Sequence, residues 1–172
     1  EEAVAGHQSG RAVLRKKTAA MSADGARITL VYEGGEVLRT DNFAGSLTPA
    51  TTCDTAAPSA GLCLDASHHP HGVAMSADGQ YQTIVTDQAQ GVFLSDDQGG
   101  TFGHIKSNVA PLVQSSHAFR DFDMAKVQLR AVAMSADGMN QTIVGLANGT
   151  SGVWRSDAAG DYTSWHCTYI DS

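Results

Sequence analysis

The sequence predicts an all-β protein built from three four-stranded antiparallel repeats. Three observations predict it: the pentapeptide Met-Ser-Ala-Asp-Gly occurs three times, each copy precedes a run containing β-branched residues that ends in a glycine turn, and no stretch holds a helical period. The copies lie at Met21 to Gly25, Met75 to Gly79 and Met134 to Gly138, with starts separated by 75 − 21 = 54 and 134 − 75 = 59 residues. From Val73 and from Val132 the second and third copies run in parallel for thirteen residues, differing only at Gln80/Met139 and Tyr81/Asn140.

Within each copy the elements follow in a fixed order. An apolar stretch such as Val127 to Met134 forms a first strand, and Ser-Ala-Asp-Gly after it supplies a short Asp side chain and a Gly able to take positive φ, the makings of a hairpin turn. Gln82-Thr83-Ile84-Val85 and Gln141-Thr142-Ile143-Val144 then read as second strands. Turns at Gly34-Gly35, Gln88 to Gly91 and Asn148-Gly149 lead into third strands that share the pattern Val-x-x-[Ser/Thr]-Asp: Val37 to Asp41, Val92 to Asp96 and Val153 to Asp157. A further turn opens the fourth strand. Ser115 to Lys126 comes nearest to a helical period. Long connectors, Pro49 to Pro70 and Ser107 to Lys126, separate the units. The 172 residues therefore read as one domain, 1–172, with repeats over about 12–48, 71–106 and 127–168.

Composition narrows the function. Hydrophobic residues at 42% against 17% charged suit a chain that buries a core. Eleven Lys and Arg against eighteen Asp and Glu leave a net charge of −7, the wrong sign for replacing counterions along nucleic acid. No apolar run approaches the roughly 20 residues of a membrane span. The chain begins at Glu1 without an initiator Met or the apolar stretch of an intact signal peptide, which reads as a processed or excised chain, and the expected setting is extracytoplasmic: secreted, cell-surface or lumenal.

Ser95, Asp97, Gly99, Thr101 and Phe102 spell S-x-D-x-G-x-T-F, which resembles the Asp-box, or BNR repeat, of sialidases, sortilin-type receptors and photosystem II assembly factors. The resemblance implies a β-propeller blade with this motif in the hairpin between its third and fourth strands. An Asp carboxylate there accepts backbone N–H groups that no strand partner reaches, and the aromatic residue packs inward. The third copy keeps Ser156, Gly160 and Trp165 but has Ala158 in the Asp place. The first, Thr40 to Leu47, carries an extra residue and no closing aromatic. The fold predicted is thus a partial β-propeller, with a β-prism or a β-trefoil-like arrangement as alternatives. Propellers close with four to eight blades, so three would leave sheet faces to be covered by other chains.

Other residues suggest sites. Cys53 and Cys63 bracket a Pro/Ala/Ser loop of about eleven residues that a disulfide would close, stabilising by roughly 2–3 kcal/mol. Cys167 is left over. His68, His69 and His71 carry three imidazoles able to ligate zinc or copper, although no further ligand follows at a recognised spacing and an exposed His-rich loop is the plainer reading. Asn140-Gln141-Thr142 and Asn148-Gly149-Thr150 fit the N-glycosylation pattern. Met21, Met75 and Met134, at equivalent places, read as flexible core fillers; Trp154 and Trp165 are a candidate sugar-stacking platform, although Trp154 aligns with Leu38 and Phe93 and so reads as core.

Catalysis finds little footing. Seven arginines are scattered, no arginine cluster or Arg-Ile-Pro motif matches a sialidase site, and no nucleophile elbow is present. The expectation is a non-enzyme without cofactor: a structural or assembly subunit docking onto other protein chains, as a homo-oligomer or in a larger complex. A glycan-binding lectin and a fragment of a sialidase-like glycoside hydrolase are the alternatives.

Overall fold

A computed structural model of the chain describes residues 16–43, 45–50, 69–87, 91–104, 127–147, 149–160 and 165–169. The described residues form twelve strands in three successive antiparallel meanders, the second and third of which a single bridge joins into one eight-stranded sheet. The first contains β1 (Lys16–Met21), β2 (Ile28–Tyr32), β3 (Val37–Thr40) and β4 (Thr48–Pro49). The second contains β5 (His69–Met75), β6 (Gln82–Asp87), β7 (Val92–Ser95) and β8 (Gly103–His104). The third contains β9 (Val127–Met134), β10 (Gln141–Ala147), β11 (Thr150–Ser156) and β12 (His166–Tyr169).

The internal repeat is also a repeat of register. Ala19 faces Leu30 and Leu30 faces Leu38 in the first sheet; Val73, Ile84 and Phe93 stand in the same relation in the second, and Val132, Ile143 and Trp154 in the third. Because strand side chains alternate between faces, these rungs put an apolar row on one face of every sheet. A second row, Val31 and Val37 in the first sheet and Val85 and Val92 in the second, occupies the opposite face. A sheet apolar on both faces is stable only between two others.

That is where the core lies. Val31 and Val37 of the first sheet pack against Val73, Ile84, Phe93 and Phe102 of the second. Val85 and Val92, on the far face of the second, pack against Leu129, Ile143, Trp154 and Trp165 of the third. Neither cluster joins the first sheet to the third, so among the described residues there is no single core shared by three sheets, as a β-prism needs, and no common barrel, as in a β-trefoil. Face-to-face stacking of separate meanders is the arrangement of propeller blades.

Two sequence expectations need correction. The segment from His69 is not a loop: His69 to Met75 form β5, with a bulge between Pro70 and Gly72, and Pro70 is tolerated because this strand lies at the edge of its meander. The repeated methionines are not uniform core fillers, since Met75 and Met134 are half-buried and Met21 is 61% exposed. Met21 is exposed because no described blade lies against its face of the first blade. The Ser115 to Lys126 segment lies outside the described residues.

Candidate functional site

Each blade carries two polar turns at the same end of its strands. In the first, the serine of Met-Ser-Ala-Asp-Gly caps its own turn: Ser76 Oγ donates to Asp78 Oδ1 at 2.6 Å, and Asp78 Oδ1 accepts from the Gln80 N–H at 3.0 Å. Ser76 Oγ in turn accepts from the Tyr81 N–H at 3.0 Å. Ser22 and Asp24 repeat this with Ala26 and Arg27, and Ser135 and Asp137 with Met139 and Asn140. The serine hydroxyls first, and the backbone N–H groups second, hold the carboxyls of Asp24, Asp78 and Asp137 below the ordinary aspartate range.

The second turn joins the third and fourth strands. Asp97 accepts from Ser95 Oγ at 2.8 Å, from the Thr101 N–H at 2.9 Å and from Thr101 Oγ1 at 2.7 Å, while Ser95 Oγ takes the Gly99 N–H at 2.9 Å. Gln98 and Gly99 both adopt the left-handed region, φ 63° and 75°, and Ala159 and Gly160 do so in the third blade at 54° and 79°. Ser156 Oγ still takes the Gly160 N–H at 3.1 Å, so the third blade keeps the turn although Ala158 supplies no carboxylate. The first blade keeps it differently: Asn42 accepts from Thr40 Oγ1 at 2.9 Å and from the Ser46 N–H at 3.3 Å, standing where Asp97 stands. Phe102 and Trp165 close the second and third turns as buried rings, whereas Leu47 is 44% exposed.

Burial raises the Asp97 carboxyl, but the bonds from Thr101, Ser95 and Gly100 outweigh it and leave the group below its ordinary value. A carboxyl whose pKa is lower when folded than when unfolded stabilises the fold fully above its unfolded value, about 4, and that contribution disappears as pH falls through the folded value. Acid titration of the melting temperature is therefore expected to show a steep loss below about pH 4 that is shallower in Asp97→Asn. Identical slopes in the two proteins would contradict this role for Asp97.

The blades are joined by contacts that repeat from one interface to the next. The Ala23 N–H donates to the Ala77 carbonyl at 2.8 Å, and the Ala77 N–H to the Ala136 carbonyl at 2.7 Å. Thr29 Oγ1 donates to Gln82 Oε1 at 2.6 Å, and Thr83 Oγ1 to Gln141 Oε1 at 2.7 Å, all four residues being in register in the repeat. Arg27 covers Gly79 and Tyr81 covers Gly138 so closely that a Cβ would come within 2.6 Å and 2.5 Å of their side chains. Sequence reading missed these links. The signal was present: Gln-Thr opens the second strand in copies two and three, a polar pair in an otherwise apolar strand.

At the opposite end of the strands, His71, Asp87 and Arg130 meet across the second and third blades. His71 Nε2 lies 2.8 Å from Asp87 Oδ2 and 3.4 Å from Arg130 Nη1, and Arg130 Nη2 donates to Gln128 Oε1 at 2.6 Å. Ionised Asp87 only accepts, so Nε2–H is the donor to it, and Arg130 is then a neighbouring cation rather than a donor to the ring. An Arg guanidinium against the same nitrogen opposes a metal ion there. Asp87 also pairs in register with Gln128, the one described pairing between β6 and β9, so the cluster pins one blade to the next. His69 is exposed, and no three His, Cys, Asp or Glu converge among the described residues.

Cys53, Cys63, His68 and Asn148 lie outside the described residues, and Asn140 is exposed at the position that Arg27 and Tyr81 occupy in the other blades. Trp154 and Trp165 are fully buried and form no sugar-stacking platform.

The two outer faces remain. On the first blade, Ile28, Leu30 and Leu38 are half-buried and Met21 is exposed, although Ile84 and Phe93, the equivalents of Leu30 and Leu38, are fully buried in the second. On the third, Val144 is 39% exposed where its equivalent Val85 is 0%.

No protein-family model and no curated protein sequence matches the chain. Its fold is similar to several solved structures. The structure of YCF48 bound to D1 peptide is 11% identical with a TM-score of 0.59, matching 90% of this chain and 40% of that one. The nidogen/laminin complex is 13% identical with a TM-score of 0.59, over 91% and 49%. A hydrazine synthase from Kuenenia stuttgartiensis is 14% identical with a TM-score of 0.58, over 95% and 38%. YCF48 and nidogen are β-propeller proteins, and the shared fold is that of a propeller. The chain spans less than half the length of each of the three.

Proposed function

We propose that the chain is a non-catalytic structural or assembly module of the Asp-box repeat type, working outside the cytoplasm and docking onto other protein chains. The observation that carries this reading is the incompletely covered apolar face beyond each of the two packed blade interfaces, where among the described residues Met21 is exposed and Ile28, Leu30 and Leu38 are half-buried on the first blade, and Val144 is exposed on the third. The first and third blades leave partly exposed the equivalents of side chains that the middle blade buries fully, and each Å² of apolar surface left in water costs about 25 cal/mol. Propeller relatives in fold are captured with a peptide or within a complex, which suits docking.

The test is the native mass of the chain recovered from its source by a tag, with identification of what accompanies it. An assembly heavier than the 17.9 kDa chain that dissociates when Leu38 is changed to Lys is the expected result. A native species of the chain's own mass, unaffected by that change, would refute the reading.

A further inference from the structure

Building on the docking reading, we infer that the occupant of both outer faces is a second copy of this chain, set head to tail so that two copies close a six-blade ring. Six lies within the four to eight blades at which propellers close. The third blade's outer face offers the same donors that the first and second use. Thr142 occupies the place of Thr29 and Thr83, and the Ala136 N–H that of Ala23 and Ala77, without a described acceptor for either. The first blade offers the receiving half. The Ala23 carbonyl has no described donor, and Gly25, at φ 74°, has only the Met21 Sδ within 4 Å of a Cβ position, whereas Gly79 and Gly138 are covered. Asn140 of one copy would cover Gly25 of the other as Arg27 covers Gly79. The ring would therefore continue an interface the chain already makes twice.

One element of that interface is changed. Ile28 stands where Gln82 and Gln141 accept the threonine hydroxyl, so Thr142 of one copy would meet an apolar side chain on the other. This makes the register testable. Ile28→Gln is expected to supply the missing acceptor, and Thr142→Ala to weaken the dimer about fivefold per interface more in the Ile28→Gln background than alone. No other pairing of faces couples these two residues. An N-glycan on Asn140 would exclude the ring.

Sedimentation of the purified full chain over a concentration series, with circular dichroism to verify folding, decides it. The expected species is a dimer of twice 17.9 kDa that Val144→Lys, a change at a partly exposed position, converts to a folded monomer. A chain that stays monomeric at every attainable concentration overturns the ring while leaving docking onto a different protein standing. A dimer indifferent to Val144→Lys, or without coupling between residues 28 and 142, overturns it too.

Discussion

Trp154→Ala is expected to remove about 3–5 kcal/mol of folding free energy. Trp154 is fully buried between the second and third blades with Val85, Val92, Leu129, Ile143 and Trp165. Its indole also lies on Gly152, where a Cβ would stand 2.8 Å from Cη2, so the backbone of β11 is fitted to the ring. Truncation leaves a cavity that neither sheet can fill, because each is held in register by its own backbone bonds. Domains have about 5–15 kcal/mol in all, so the variant should melt far lower or fail to fold. The check is chemical denaturation followed by tryptophan fluorescence from the remaining Trp165. Phe93→Leu, at the equivalent rung of the second blade, retains most of the apolar volume and should lose much less. A Trp154→Ala protein as stable as the parent would mean that the blades do not pack through this cluster.

The equivalence of Leu38, Phe93 and Trp154 could be read from the sequence because it depends on local order: a repeated turn fixes the frame, and period-two alternation places each side chain. The Asp97 turn was legible for the same reason, its partners lying within four residues. Asn42 was not, because an amide can substitute for a carboxylate only if the backbone already forms the turn, and that is a property of the folded chain. The His71, Asp87 and Arg130 contact joins strands brought together by blade stacking, which spacing does not encode. Met21 departs from the core-filler reading because the sequence shows three equivalent methionines, but not that one of them lies on a blade face against which no described blade packs.

Gln82→Leu is expected to lose about 1–3 kcal/mol, more than its modest change in volume suggests. Gln82 is buried, accepts from Thr29 Oγ1 across the blade interface at 2.6 Å, and donates through Nε2 to the Gly79 carbonyl at 3.2 Å. Leucine fills similar space but strands the Thr29 hydroxyl, itself only 1% exposed, among apolar neighbours where water cannot replace the lost acceptor. Pairing Gln82→Leu with Thr29→Val removes the stranded donor and should recover much of the loss, since replacing both partners of a buried bond by apolar groups is far less costly than removing one. The recovery should be partial, because the Gly79 carbonyl still lacks its donor. The chain already contains a related case: the first blade has Ile28 in the glutamine place, on the face where no described threonine stands opposite. Thermal melts of the two singles and the double measure the coupling. A double variant no more stable than Gln82→Leu alone would show that the glutamine is held by its own turn and not by the neighbouring blade.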